Sequence, residues 1–239
     1  TIPDSVTSIG NVAFYGCESL TSVTIPDSVT SIGNGAFCGC ESLTSVTIPD
    51  SVISIGDNAF RGCESLIVFD VSANNKNYSS SDDGKILYNK DKTELIAYPT
   101  AAGDVTILDS VISIGEHAFS SCSSLTSIVI PDSVTSIGGN AFESCYNLIS
   151  VIIPDNVTSI GDYVFEYCEN LISVIIGDGV TSIGSGIFYD CSNLKSVTFK
   201  DTSTWYCTDG YSDDIQVNVT NATANVTHFK DTYSYYQWY

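Results

Sequence analysis

Basic residues are scarce in this sequence. Among its 239 residues there are 8 lysines and arginines against 28 aspartates and glutamates, which gives a formal net charge of −20 at pH 7. Proteins that bind nucleic acid or an anionic membrane surface need a basic face that contacts the phosphates. The composition therefore argues against both kinds of partner, and the acidic surplus is typical of a soluble extracellular protein.

Long hydrophobic runs and methionine are also missing. No apolar stretch reaches the roughly 18 residues of a membrane-spanning helix, so the sequence predicts none. There is no signal peptide, and the sequence opens directly on a repeated unit. Because stacked repeats need capping units at their ends, we expect a fragment or processed product of a longer protein that continues upstream.

The residues that enzymes use for catalysis are few or scattered. His117 and His228 are the only histidines and stand in different regions, so no Ser-His-Asp or Cys-His arrangement is indicated. Glycines stand singly or in pairs at turns and form no phosphate-binding loop. Acidic residues repeat in columns without a unique pair, which disfavours a glycosidase. We predict a non-enzymatic protein without a cofactor.

What the sequence does contain is a repeat of 23 residues. One step of 36 residues interrupts the series, so seven units are regular and the unit at 71–106 is enlarged. A fixed period of this length is typical of a solenoid, in which each unit buries its apolar side chains only by stacking on its neighbours. The eight units, called repeats 1 to 8 below, begin at Ile2, Ile25, Ile48, Val71, Ile107, Ile130, Ile153 and Ile176.

Residues 20–40 show how each unit is expected to fold. The segment from Leu20 to Ile25 alternates apolar and polar residues, which predicts a short strand. Pro26 and Asp27 predict a turn. The spacing of Ala36, Phe37 and Cys40 fits one turn of α- or 3₁₀-helix. We therefore predict a β-rich repeat solenoid of eight stacked units with short helical turns, spanning 1–198, and a C-terminal capping region at 199–239.

These units resemble a known family. Leu-x-x-Val-x-Ile resembles the signature of leucine-rich repeats, and the unit IPDSVTSIG-x-x-AF-x-GC-x-SL resembles the BspA-like class of bacterial surface leucine-rich repeats over about residues 1–200. The resemblance implies a protein at the cell surface or outside the cell that adheres to host or microbial macromolecules, including matrix proteins such as fibronectin or fibrinogen. One departure is that serine replaces the usual Asn or Cys after the strand, at Ser28, Ser51, Ser110 and Ser133.

Seven of the nine cysteines form a column, three residues after the repeated phenylalanine. Stacked equivalents point the same way, whereas a disulfide needs Cβ atoms that face each other, so we predict free, buried, small side chains. A metal ladder is disfavoured because tetrahedral ligands must converge from several directions. Cys38 belongs to a different column and is predicted to face solvent. A pair with Cys207, near the opposite end, is disfavoured.

An acidic column marks the turn that follows each strand. Carboxylates stacked about 5 Å apart are suitable ligands for Ca²⁺. The alternative, which we favour, is that each Asp accepts a hydrogen bond from the turn backbone. The members of this column are Asp4, Asp27, Asp50, Asp109, Asp132, Asp155 and Asp178.

The enlarged repeat offers a first candidate contact surface. Residues 73–83 are rich in Asn and Ser and predict a loop, and the segments 85–88 and 94–98 predict a hairpin. We predict that this hairpin protrudes and carries a contact patch made of Lys85, Tyr88, Lys90 and Lys92. The alternative is a structural insertion that bends the solenoid or plugs one face.

A second candidate surface lies on the strands of repeats 5 to 7. Positions that hold Thr24, Thr47 and Asp70 in the early units become apolar later. If these positions face outward, they form an exposed apolar stripe, which is typical of an interaction site. The alternative is that β-branched residues simply favour a strand. The candidate residues are Val129, Ile152 and Ile175, with Ile149 and Ile172 in the neighbouring column.

The last 41 residues break the period and are crowded with aromatic side chains. This region resembles the C-terminal cap of the family. The alternative is a carbohydrate-binding platform that would use Trp205 or Trp238. We thus predict a binding protein, for which the family resemblance implies a matrix protein or surface glycoprotein as partner, with a structural spacer and a carbohydrate-binding module as alternatives.

Overall fold

The computed structural model describes residues 2–98, 105–203, 205–208, 215–232 and 234–239. Part of the enlarged repeat, at 99–104, lies outside this range, as do Tyr211 and Tyr233 of the aromatic tail. The strands, in chain order, are β1 Ser8–Ile9, β2 Ser31–Ile32, β3 Ser45–Ile48, β4 Ser54–Ile55, β5 Val68–Val71, β6 Tyr78–Ser80, β7 Leu87–Asn89, β8 Glu94–Ala97, β9 Ser113–Ile114, β10 Ser136–Ile137, β11 Ser150–Ile152, β12 Ser159–Ile160, β13 Ser173–Ile176, β14 Ser182–Ile183, β15 Ser196–Phe199, β16 Trp205–Thr208, β17 Ile215–Val217 and β18 Gln237–Trp238. The helices are α1 Ala222–Thr227 and a π-helix at His228–Thr232.

Two parallel ladders run along the solenoid. In one, each Ser-Ile pair lies beside the pair of the next repeat, as Ile9 does beside Ile32 in β1 and β2. In the other, β11, β13 and β15 align so that Ile152, Ile175 and Thr198 are direct neighbours. In the regular units each residue pairs with the equivalent residue of the next repeat. Any other offset would turn apolar side chains away from the core. The predicted solenoid of about eight turns is confirmed.

Phenylalanine rings stack along the core. The Phe119 and Phe142 ring centroids are 5.0 Å apart and those of Phe142 and Phe165 are 5.5 Å apart, with planes inclined by 12° and 9°. All three rings are fully buried. The column acts as the spine of the core, since each ring has a partner on both sides.

The cysteine column does more than fill space. Five of the buried thiols in this column donate to the carbonyl of the phenylalanine in the preceding repeat, as Cys63 does to Phe37 at 3.2 Å and Cys168 to Phe142 at 3.1 Å, and Cys122 donates to the carbonyl of Tyr98 instead. Six members of the column are buried and form no disulfide, as expected, but Cys17 of the first repeat is exposed.

The predicted solvent position of Cys38 is wrong. This thiol is buried because the turns of repeats 1 and 3 pack against its own turn, with the N–H of Gly16 donating to the Cys38 carbonyl and the N–H of Gly39 donating to the Arg61 carbonyl.

The segment around Phe37 forms separate turns instead of the predicted helical turn. The N–H of Cys38 donates to the carbonyl of Gly35 at 3.0 Å, and the N–H of Cys40 to that of Phe37 at 3.1 Å. Gly35 and Gly39 have φ values of +60° and +73°, and a left-handed residue cannot continue a right-handed helix. The N–H of Gly39 instead donates to the carbonyl of Arg61, which joins two repeats.

The enlarged repeat places a small antiparallel sheet, made of β6, β7 and β8, inside the solenoid. We call this sheet the wall. The predicted hairpin is present as β7 and β8, and a third antiparallel strand, β6, lies within the segment that was expected to be a loop. Successive side chains of β7 point to opposite sides. Leu87 packs in the apolar core of repeats 1 to 3, whereas Tyr88 packs in the core of the later repeats. The hairpin therefore divides the core in two and does not protrude as predicted.

The second strand of the wall restores the repeat pattern. Leu95 in β8 lies parallel to Ile114 and takes the place of the repeated isoleucine. Tyr98 takes the place of the repeated phenylalanine, with its ring centroid 5.2 Å from that of Phe119. The insertion thus ends on a template on which repeat 5 can stack.

The tail continues the stack after repeat 8. Trp238 in β18 pairs antiparallel with Ile183, and β16 and β17 extend the same sheet. Phe229 stacks on Trp238 at 4.1 Å and lies 5.3 Å from Phe188, so the tail covers the last ring of the phenylalanine column. We propose that 199–239 acts as a cap on this basis, and the domain boundary at 198 stays a prediction.

The cysteine column predicts a sharp difference in reactivity. The thiolate is the form that alkylating agents attack, and burial raises the pKa of Cys40 to about 11 and that of Cys63 to about 12. In native protein at neutral pH we expect iodoacetamide to modify Cys17 rapidly and the other six cysteines of the column only after unfolding, as measured by peptide mass spectrometry. Rapid modification of Cys63 or Cys168 without unfolding would contradict the burial of the cysteine column.

Candidate functional site

The outward side of the second ladder is the most distinctive surface of the later repeats. Along β11 and β13, Val151 and Val174 point inward and are buried, so the alternating residues point to solvent. Ser127 of repeat 5 pairs with Ser150, which continues the same face toward the wall. The solenoid register thus places chemically similar residues side by side on this face.

The predicted apolar residues come together there. Their exposed fractions are 80% for Val129, 57% for Ile152, 50% for Ile149 and 40% for Ile172, and Ile175 is partly buried between its neighbours. We call these five residues the apolar stripe. Their exposure is a structural fact, whereas their role in binding stays a prediction.

The same face is mostly polar on the other side of the wall. Thr24, Thr47 and Asp70 are exposed at the positions that Val129 and Ile152 hold later. Ile67 is an exception that the sequence analysis missed, since it is exposed in the column of Ile149. Comparison of that column along the sequence would have found it.

Of the predicted contact patch on the hairpin, Lys85, Lys90 and Lys92 are at least partly exposed and their role in binding stays a prediction, whereas Tyr88 is not at the surface. Tyr88 is fully buried in the core, so its predicted surface position is wrong, and burial raises its pKa to about 12. The Lys85 ammonium lies 3.5 Å from the Asp83 carboxylate. The Lys90 ammonium donates to the backbone carbonyls of Ala73 and Asn75.

Lys92 stands at the turn of the hairpin, partly buried, with φ +55°, and its carbonyl accepts a hydrogen bond from Ser110. The hairpin strands belong to the Ser-Ile ladder, whereas the apolar stripe lies on the other ladder. The two candidate surfaces are therefore separate.

A polar network that the sequence analysis missed lies beside the wall. Arg61 of repeat 3 reaches repeats 5 and 6, where it pairs with Glu143 at 2.6 Å and donates to Ser120 at 3.1 Å. His117 Nδ1 lies 3.2 Å from the other oxygen of Glu143. Arg61, His117 and Ser120 line a cleft of about 260 Å³ between repeats 1 to 3 and the later repeats. The network therefore connects repeat 3 with repeats 5 and 6 across the enlarged repeat.

The environment of Glu143 favours its charged form. Burial opposes ionisation, but His117 at 3.2 Å, the charge of Arg61 and the hydrogen bond from Ser120 together hold the pKa of Glu143 below its usual value. The signal available in the sequence was that Arg61, Ser120 and Glu143 occupy one column directly after the phenylalanines. The enlarged repeat hid their proximity, since it adds 13 residues between repeats 3 and 5.

In the acidic turn column, the carboxylate contacts that the structure shows are made with other groups of the protein. Asp155 pairs with Lys200 at 2.6 Å and accepts a hydrogen bond from the N–H of Asp178 at 3.4 Å. Among the residues that the structure describes, no group of three or more His, Cys, Asp or Glu side chains is arranged to hold a metal ion. Within the same residues, every helix is too short or too polar to cross a bilayer.

The aromatic tail does not present its tryptophans to solvent. Trp205 and Trp238 are both buried among the rings that close the core. The proposed carbohydrate platform on these two residues is therefore wrong, because a sugar cannot reach either indole face. The exposed tail aromatics are tyrosines.

Comparison with known proteins places these features in a family. A family model described as a BspA-type leucine-rich repeat region matches residues 1–82 and 97–215 in six copies. The gap between the two matches covers the hairpin of the enlarged repeat. A search of curated protein sequences finds no significant match.

Solved structures of bacterial proteins are similar over most of the chain. A leucine-rich cell surface protein of Faecalibacterium prausnitzii is 35% identical, with a TM-score of 0.68 over 84% of this chain and 59% of its own. The pneumococcal vaccine antigen PcpA is 29% identical, with a TM-score of 0.76 over 83% of this chain and 49% of its own. A leucine-rich repeat protein of Eubacterium ventriosum is 29% identical, with a TM-score of 0.62 over 82% and 64%. The chain thus spans about half to two thirds of the length of these proteins.

The network beside the wall predicts a pH-dependent contribution to stability. Because the folded-state pKa of Glu143 lies below its ordinary value of 4.5, its contribution is complete above that pH and is lost as the pH falls through the folded-state pKa. We expect Glu143→Gln to lower the free energy of unfolding by about 1–2 kcal/mol at neutral pH, after allowance for solvent screening. The difference should vanish in acid.

Urea unfolding of both proteins across this pH range measures the difference. Glu169→Gln is the matched control, because Glu169 is an exposed glutamate one repeat further along. A wild-type advantage that stays constant down to the most acidic pH would contradict the assigned role of Glu143.

Proposed function

This chain belongs to the BspA-type leucine-rich repeat family, and we propose that it is a non-enzymatic binding protein, at the cell surface or secreted, that adheres to a protein partner. The observation that carries the proposal is the exposed apolar stripe on the strands of repeats 5 to 7. A row of large apolar side chains in water is unfavourable, and such a patch is typical of an interaction surface. The surface placement is supported by the cell-surface description of the F. prausnitzii protein.

The stripe has the properties of the centre of an interface. Its side chains are β-branched and stand on hydrogen-bonded strands, so few rotamers are lost when a partner binds. Ser150 and Ser173 lie between the two apolar columns and supply hydrogen-bonding groups. An apolar centre with adjacent polar groups is the usual arrangement of a protein–protein interface.

The charge of the chain indicates what kind of partner fits. At a net charge of −20, a basic partner is attracted over long range and an acidic one is repelled. We therefore propose an extracellular matrix protein or surface glycoprotein that carries an apolar patch within a basic surface. Fibronectin and fibrinogen enter as ligands implied by the family resemblance.

The experiment is affinity capture followed by substitution. The folded chain is immobilised and exposed to serum, matrix extract and mucin at physiological salt, with and without Ca²⁺, and the retained proteins are identified. We expect Val129→Ser, Ile152→Ser and Ile175→Ser together to weaken retention at least about tenfold, since each removes on the order of 1 kcal/mol of apolar contact.

The matched control uses apolar residues on the other ladder. Ile53 and Ile112 are exposed by 61% and 48%, and replacing both with Ser should leave retention unchanged. Equal retention by the stripe variant and the control variant would contradict the proposed site.

A structural spacer is the second candidate, and the near identity of repeats 1 to 3 favours it. Deleting residues 25–47 or residues 130–152 removes one full period in each case and keeps the register. A spacer tolerates both deletions equally, whereas a binding surface loses affinity only with the second.

A further inference from the structure

Four tyrosines gather on the turns of repeats 7 and 8 and on the tail. The Tyr167 and Tyr189 ring centroids are 5.8 Å apart with planes at 86°, and Tyr235 lies 5.8 Å from Tyr189 at 42°. Tyr235 is 60% exposed. Tyr163 lies on the same turn segment as Tyr167, and its ring lies beside Gly186 of the next repeat. Tyr167 and Tyr189 are partly exposed, so these two nearly perpendicular rings and the ring of Tyr235 form a corner at the surface.

Two of these tyrosines occupy backbone positions that other repeats give to glycine. Tyr167 has φ +58° where Gly16, Gly39 and Gly62 stand in repeats 1 to 3. Tyr163 has φ +55°, and its ring lies so close to Gly186 that a Cβ there would be 2.3 Å from a ring carbon. A large side chain in the left-handed region is unfavourable, so the fold itself does not require tyrosine here.

A carboxylate accompanies the rings. Glu166 is partly buried, directly precedes Tyr167, and holds in repeat 7 the position that Tyr189 holds in repeat 8, where the N–H of Tyr167 donates to the Tyr189 carbonyl at 2.9 Å. Burial and the neighbouring Glu143 raise the pKa of Glu166 itself. Arg61 is paired with Glu143, and within the described part of the chain Glu166 forms no ion pair. A bound positive charge would offset this local excess of negative charge.

The ring geometry distinguishes between two classes of ligand. A sugar stacks on rings that lie side by side in one plane, and rings at 86° and 42° provide no such platform. A cation is attracted to the face of each aromatic ring within about 6 Å of its centroid, so rings that enclose a corner attract it together. The geometry points to a site in which Tyr167, Tyr189 and Tyr235, with Glu166, bind an alkylammonium group.

This site is independent of the apolar stripe. It lies on the turn segments that follow β12 and β14, whereas the stripe lies on β11 and β13. The alkylammonium group has two sources, a quaternary ammonium compound or the protonated lysine side chain of a partner protein. Both share the positive charge and the apolar carbon shell that such a corner accepts.

Tyrosine-labelled NMR tests the site on the full chain. The probes are tetramethylammonium, Nα-acetyl-lysine amide and, as a neutral molecule of similar shape, tert-butanol. We expect saturable shifts of the Tyr167, Tyr189 and Tyr235 ring signals with a cation and none with tert-butanol. Stronger binding of tetramethylammonium assigns a quaternary ammonium ligand, and stronger binding of the lysine probe assigns a partner's lysine.

The variants separate the site from the fold. Tyr189→Leu and Glu166→Gln should each weaken cation binding by about two- to fivefold, the ratio that one exposed cation–π contact or ion pair supplies. Tyr167→Gly installs the residue that repeats 1 to 3 carry, so it should fold normally and still lose affinity. Tyr15→Leu is the control, because Tyr15 occupies the column of Tyr189 at the far end.

Ring signals that do not move with either cation, or that move equally with tert-butanol, would overturn the proposal. Unchanged affinity in Tyr167→Gly and Tyr189→Leu would do the same.

Discussion

The structure depends on one constraint, which is that the backbone of each repeat is hydrogen-bonded mainly by its neighbours. Gly33 donates its N–H to the carbonyl of Ile9, and Gly56 donates to Ile32, each at 2.8 Å and each one repeat away. A repeat cannot satisfy these groups or bury its phenylalanine alone. The register of 23 residues therefore follows from the need to bring equivalent groups together. It also explains why inward side chains barely vary along the chain.

The same constraint leaves some columns free, and the candidate sites lie in those columns. The outward strand positions change from Thr24 and Thr47 to Val129 and Ile152 without disturbing the ladder that carries them. The column after the phenylalanines changes more, and includes Arg61, Glu143 and Tyr189. Because the scaffold holds each position in a fixed place, these changes act on surface chemistry and leave the fold intact. One solenoid can thus carry an apolar stripe and a tyrosine corner on different faces.

The sequence predicted the solenoid, the buried cysteine column and the location of the apolar stripe because each follows from the period, and it predicted the hairpin because two strand-like segments flank a turn. The other predictions failed where the period breaks. Tyr88 and Leu87 face two different cores, which no repeat predicts, since the segment belongs to neither half. Arg61 meets Ser120 across 59 residues, a contact that crosses the enlarged repeat and that no constant period predicts. Burial of Trp205 and Trp238 depends on how the tail folds back, and composition alone carries no information about that.

Hydrogen exchange gives the most direct test of this account, in which neighbouring repeats stabilise one another and the hairpin separates two cores. Phe37→Ala removes a ring from the middle of the first core and leaves the second untouched. Amide exchange of native protein and variant would be compared, peptide by peptide, by mass spectrometry. The account predicts faster exchange across repeats 1 to 3 and unchanged exchange in repeats 5 to 8. Acceleration that spreads equally through all repeats would show a single cooperative core and contradict it.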